Sequence, residues 1–123
     1  MMHPEKFSLR NRITSFRYAI SGILAFIWQE HNARIHTVAT LAVIIAGIVF
    51  HVSYSEAATL AVVTGGVWIM EMLNTCLERM ADVVHPAAHP TIKFIKDLAA
   101  GAVLVAAITA VVVALFIFIP KLL

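Results

Sequence analysis

Five polar residues of one stretch, Glu71, Asn74, Thr75, Glu78 and Asp82, stand at i, i+3, i+4, i+7 and i+11. On a helix they share an arc of about 100°. Three carboxylates on one face have two chemical uses. Hard divalent cations such as Mg²⁺ take carboxylate oxygens as ligands, and a suitably placed carboxylate accepts the proton of a hydroxyl. A proton relay through a transporter would use such a face equally well. Further along, Lys93, Lys96 and Asp97 open another helical stretch. A lysine there meets phosphate as a point charge, or simply snorkels beside a surface partner. Glu30 and Arg34 are spaced as an i,i+4 pair. Alone this is a structural feature; beside the acidic face, Glu30 becomes a candidate second metal ligand.

What must position these residues is a membrane. Hydrophobic residues make up 61% of the 123-residue chain and charged residues 13%, against roughly 25% charged in a soluble domain. A soluble chain of this size has nowhere to hide so much apolar surface. Residues 35–55 and 57–70 contain no Asp, Glu, Lys or Arg, and 98–120 is the longest clean run. A helix needs roughly 20 apolar residues to cross about 30 Å of hydrocarbon. The expectation is an all-α integral membrane protein with spans over 33–53, 56–83 and 94–119. The second span reaches full length only by carrying Glu71 into the bilayer, about 22 Å from its start near Glu56. An ionisable group at that depth is costly and marks function by default; the alternative is a structural carboxyl bonded to a neighbouring helix.

Ahead of the spans, Leu9, Ile13, Phe16, Ile20, Ile23 and Ile27 recur at spacings of three and four, with Arg10, Thr14, Arg17 and Ser21 on another face. This predicts an N-terminal amphipathic helix over 7–29 on the membrane surface, the alternative being a helix packed on a soluble core. Eight of nine basic residues precede the first span or lie between the second and third. The positive-inside rule then puts the N-terminus and the 79–96 segment in the cytoplasm and the C-terminus outside. No apolar run with a small-residue cleavage site follows the first basic residues, so no signal peptide is expected. His85-Pro86 and His89-Pro90 break the chain between the last two spans.

Several readings drop out. The formal charge of +2 is too small to argue for nucleic acid. No G-x-x-x-x-G-K-[ST] loop occurs, so a nucleotide site is not a P-loop. The lone cysteine, Cys76, forms no intrachain disulfide and lies off the acidic face. The six histidines show no metal-ligand spacing. Gly65-Gly66, and Ala99, Ala100, Gly101 and Ala102, read as small residues for close helix packing.

The run Glu71-Met72-Leu73-Asn74-Thr75-Cys76-Leu77-Glu78, followed by Asp82, resembles the signature of the bacterial diacylglycerol kinase family. Lys96-Asp97-Leu98-Ala99-Ala100-Gly101-Ala102-Val103-Leu104 matches at that family's spacing, as do Phe16-Arg17-Tyr18-Ala19 with Gly22 and Glu30-His31-Asn32-Ala33-Arg34-Ile35-His36. The resemblance covers nearly the whole chain from Phe16. It implies an ATP-dependent lipid kinase acting as a homotrimer, with composite sites between subunits at the cytoplasmic membrane surface. Glu71 would be the catalytic base, with Asn74 and Asp97 beside it in the catalytic set. Glu30 and Glu78 would hold Mg²⁺. Tyr18, Asp82, His89, Lys96 and Asp97 would contact ATP, with Arg10 or Arg12 filling the place of an early arginine. Ala87 and Ala88 depart from the acidic and aromatic residues that members often carry before the histidine. The 30–36 run is more similar to the undecaprenol kinase branch. The lipid alcohol expected is therefore undecaprenol, with diacylglycerol second. The rival from another class is a small multidrug-type transporter using Glu71, which has no need of Glu78, Asp82, Lys96 or Asp97.

Overall fold

The computed structural model describes residues 6–123. Four helices follow one another: α1 (Leu9–Gln29), α2 (His31–Val49), α3 (Tyr54–Val84) and α4 (Pro90–Leu122). The last three are long and apolar enough to cross a membrane. α3 and α4 enclose the expected 56–83 and 94–119, whereas α2 begins two residues before 33 and stops four short of 53; caps explain where α3 and α4 start. At α4, Pro90 occupies the first turn, where a missing N–H costs nothing, and His89 caps it by accepting from Thr91 N–H at 3.1 Å. At α3, Ser53 and Glu56 form a reciprocal capping box, with bonds of 3.1 and 2.9 Å. The turn before it is tight because His51 takes a left-handed φ of 52°.

α1 and α2 are separated by one residue. Glu30 has extended backbone (φ −102°, ψ 123°) and is at once the C-cap of α1 and the N-cap of α2. Arg34 reaches back to donate to the Trp28 carbonyl at 2.5 Å, satisfying an acceptor left open at the end of α1. Along α1, Leu9, Ile13, Phe16, Ile20 and Ile23 are all exposed, while Phe26 is buried. The apolar stripe therefore does not pack on the rest of the chain, which removes the reading of α1 as a helix on a soluble core.

α3 and α4 pack as a long antiparallel hairpin, and α2 packs more lightly against α3. Ion pairs mark both ends of the hairpin: Lys96 Nζ to Asp82 Oδ1 at 2.5 Å, and Lys121 Nζ to Glu56 Oε1 at 3.0 Å. These pairs lie about 39 Å apart along α3 at 1.5 Å per residue, so the register is marked over the whole hairpin. Phe50, just past α2, meets Phe118 of α4 edge-on at 6.0 Å.

The interior is small. Among the described residues only Phe26, Ala33, Leu60, Val67 and Ala81 are buried apolar side chains, and Glu71 is the one buried polar side chain. The outer faces of α2, α3 and α4 are apolar and open, as lipid requires. Gly65, Gly66 and Gly101 also face open space within the chain: a Cβ built on any of them meets nothing within 4 Å. The expectation that they pack helices together is thus not met inside one chain.

Where apolar burial is so thin, hydrogen bonds carry helix pairing. Trp68 Nε1–H donates to Thr40 Oγ1 at 2.8 Å, Thr40 donates on to the His36 carbonyl at 2.7 Å, and the Trp68 ring meets Phe26 edge-on at 6.1 Å. One tryptophan thus ties α1, α2 and α3. Trp68→Phe should cost about 0.6–1.7 kcal/mol, the range for bonds between membrane helices. Thr40→Val should cost a similar amount. The double variant should lose little more than either, because both changes delete one bond. Unfolding in mixed micelles measures this, and strictly additive losses would contradict it.

Candidate active site

Glu71 is 6% exposed. A carboxylate enclosed among membrane helices needs a donor, and α2 supplies one: His36 Nε2 lies 2.8 Å from Glu71 Oε1. A carboxylate oxygen accepts, so the tautomer that makes this bond is the one with the proton on Nε2. Glu71 Oε2 makes no hydrogen bond with the described residues. It is not sealed off either, since among those residues the one fully enclosed side-chain oxygen without a partner is Asn74 Oδ1.

Three residues along α3, the Asn74 amide donates to Glu78 Oε1 at 3.4 Å. Its own oxygen is the orphan just named. An unsatisfied buried oxygen beside a carboxylate is what a cation with oxygen ligands would complete, so Asn74 and Glu78 fit such an ion. No group of three His, Cys, Asp or Glu side chains within this chain could hold a metal, among the described residues. Glu30 and Glu78 are not joined. Glu30 Oε1 instead accepts from Arg79 at 2.6 Å, and Arg79 also donates to Gln29 Oε1 at 3.2 Å.

This corrects the expected Glu30–Arg34 pair. The i,i+4 rule holds inside one helix, and Glu30 is the break between two. Its partner comes from α3, and Arg34 turns to Trp28. Glu30 and Arg79 line a groove with Gly22, Met72, Thr75 and Cys76. Cys76 is exposed and lies on that side of α3, off the acidic face as expected.

At the α3–α4 turn the acidic face meets the basic one. Lys96 pairs with Asp82, and Lys93 Nζ pairs with Asp97 Oδ2 at 2.5 Å within α4. A cavity of about 630 Å³ there is lined by His85, His89, Pro90, Lys93 and Lys96. The two imidazoles meet edge-on at 5.0 Å. His89 Nδ1 is spent as the α4 cap, which leaves Nε2–H as its free donor. Of the expected nucleotide residues, the structure gathers Asp82, His89, Lys96 and Asp97 at this end of the hairpin. Tyr18 stands exposed on α1, with no hydrogen bond to any of them. Two participants escaped the sequence reading: His36 and Arg79. The available signal was the register, because antiparallel α2 and α3 with Glu30 beside Arg79 bring His36 level with Glu71.

Fold and site together define a three-span membrane protein with an enclosed carboxylate beneath a mixed acidic and basic surface. The chain belongs to the prokaryotic diacylglycerol kinase family, whose sequence profile matches residues 17–118. It is 43% identical over 114 residues to a diacylglycerol kinase of Synechocystis sp., a match covering 92% of this chain and 65% of that protein. It is 38% identical over 108 residues to an undecaprenol kinase of Bacillus subtilis, covering 88% of each. The chain thus spans just under two thirds of the cyanobacterial relative and most of the bacillary one. Its fold and family are those of a multi-pass membrane protein.

The surface ion pairs mark geometry more than they stabilise it. Asp82 is exposed and Lys96 about one third exposed, and such a surface pair contributes about 0–1 kcal/mol. Asp82→Asn and Lys96→Met should each leave the unfolding free energy within about that range. A much larger loss in a micelle unfolding titration would make the pair a structural clasp.

Proposed function

We propose that the protein is an ATP-dependent lipid kinase that transfers the γ-phosphate of ATP to the hydroxyl of a membrane lipid alcohol. The observation that carries this reading is Glu71: an enclosed carboxylate with one oxygen held and the other unpartnered, just below the charged end of the α3–α4 hairpin. Glu71 Oε2 takes the proton of the lipid hydroxyl. The oxygen attacks the γ-phosphorus, the bond from that phosphorus to the β,γ-bridging oxygen breaks, and ADP leaves. Phosphoryl transfer depends mainly on positioning and charge neutralisation. Lys96 and His89 Nε2–H supply cationic and neutral donors toward the nucleotide. Asp82 and Asp97 hold Lys96 and Lys93 in place, and Tyr18 contributes from α1. Mg²⁺ would neutralise phosphate charge. Asn74 and Glu78 fit it from this chain, with Glu30 as a further ligand in a site shared between copies of a homotrimer.

Undecaprenol is the favoured alcohol and diacylglycerol the second. The similarity to the Bacillus subtilis undecaprenol kinase, whose length the chain nearly matches, supports this order. The distribution of Lys and Arg puts the N-terminus and the site in the cytoplasm, the C-terminus outside, and α1 on the inner membrane surface. Neither the family nor either relative speaks for a transporter.

Purified protein in nanodiscs should transfer labelled γ-phosphate from Mg-ATP to undecaprenol, and less to diacylglycerol. Chelating the divalent cation should stop transfer. Labelling of neither alcohol by folded protein would contradict the reading. Glu71→Gln should abolish turnover while Mg-ATP still binds, and Glu78→Gln should weaken the metal-dependent binding itself. Near-normal turnover in Glu71→Gln would remove the base from the mechanism.

A further inference from the structure

We propose that His36 is the positioning residue for Glu71, and that its Nε2–H selects which carboxylate oxygen meets the lipid hydroxyl. The proposal rests on the kinase reading above and gives a role to a residue that the reading left without one.

His36 is the one side chain bonded to Glu71 among the described residues, at 2.8 Å from Oε1. Without that bond the carboxylate can rotate about its terminal torsion, which is broad and roughly two-fold. With it, Oε1 is occupied and Oε2 is the oxygen left to accept a proton. A general base must lie within hydrogen-bond reach of the proton it takes, so fixing the rotation fixes the productive oxygen.

The helix backbone that carries the imidazole is held as well. Thr40, one turn along α2, donates to the His36 carbonyl at 2.7 Å and accepts the Trp68 indole N–H at 2.8 Å. Trp68 lies one turn before Glu71 on α3, and its ring lies 6.5 Å from the His36 ring. A second crossing of the same two helices therefore fixes their register one turn from the His36–Glu71 bond. This is the arrangement by which an outer partner orients a working side chain, and removing such partners typically costs about 10- to 100-fold in activity.

The chemistry of the substitutes separates a hydrogen-bonding role from a packing role. A glutamine places its amide nitrogen where the imidazole has Nε2. An asparagine is one bond shorter and falls short of Glu71. A leucine keeps apolar bulk and donates nothing.

The test is steady-state transfer from Mg-ATP to undecaprenol by the wild-type chain, His36→Gln, His36→Asn and His36→Leu, with Mg-ATP binding as the check on fold. His36→Leu and His36→Asn should lower kcat by about 10- to 100-fold with little change in KM for either substrate. His36→Gln should restore most of the loss. Should His36→Leu fail to assemble, the Gln and Asn pair carries the comparison. Full activity in His36→Leu would overturn the proposal and leave the kinase reading standing. Equal loss in Gln and Leu, with Mg-ATP binding intact, would also overturn it, since shape and not the hydrogen bond would then be what matters. Absence of transfer by the wild-type chain would overturn both.

Discussion

An ionisable carboxyl among membrane helices must be answered by a partner, and the structure is organised around that requirement. Glu71 is the one buried polar side chain among the described residues, and His36 answers it. For the two to meet, α2 and α3 must run antiparallel in a fixed register. The single extended residue at Glu30 sets where α2 begins, and Arg79 ties that break to α3. Thr40 and Trp68 repeat the α2–α3 crossing one turn deeper. Apolar burial in one chain is too sparse to impose this register, because lipid offers no hydrophobic reward for bringing helices together. Polar bonds impose it instead.

The same register divides α3 into zones. Its length exceeds what the hydrocarbon requires, so the segment beyond the α1–α2 break projects past the level at which α2 starts. Glu71 lies inside that level, while Asn74, Glu78 and Asp82 climb toward the α3–α4 turn. There α4 contributes Lys93, Lys96 and Asp97. In the proposed kinase reading a hydrophobic alcohol and a highly charged phosphate donor meet at one point, and a helix that carries acidic groups from inside the membrane to its surface suits such a meeting. The orphaned Asn74 oxygen and the unpaired Oε2 of Glu71 lie one helical turn apart on that path.

Much of this was legible beforehand. The charge-free runs gave three spans, His85-Pro86 and His89-Pro90 gave the break between the last two, and the apolar stripe gave α1 and its faces. The i+3, i+4 spacing put Glu71 through Asp82 on one face, and Lys96 does meet Asp82. What the sequence hid was pairing across helices. Glu30 seemed to belong to Arg34 because the i,i+4 rule was applied across the junction, although the surface helix was expected to end at 29 and the first span to begin at 33. His36 entered only as the last residue of the 30–36 run, with no role assigned to it. Its importance comes from the partner opposite it, which only the register of α2 against α3 supplies. Gly65, Gly66 and Gly101 showed the converse error, since small residues signal close packing without saying that the neighbour belongs to the same chain.

The most direct test of the central bond is nitrogen-15 NMR of the histidine side chains in nanodiscs, comparing the wild-type chain with Glu71→Ala. His36 should show a protonated, hydrogen-bonded Nε2 whose resonance moves when the carboxylate is removed, while His85 and His89 stay in place. A His36 that carries its proton on Nδ1 alone, or whose Nε2 resonance ignores the loss of Glu71, would contradict a site built around this pair.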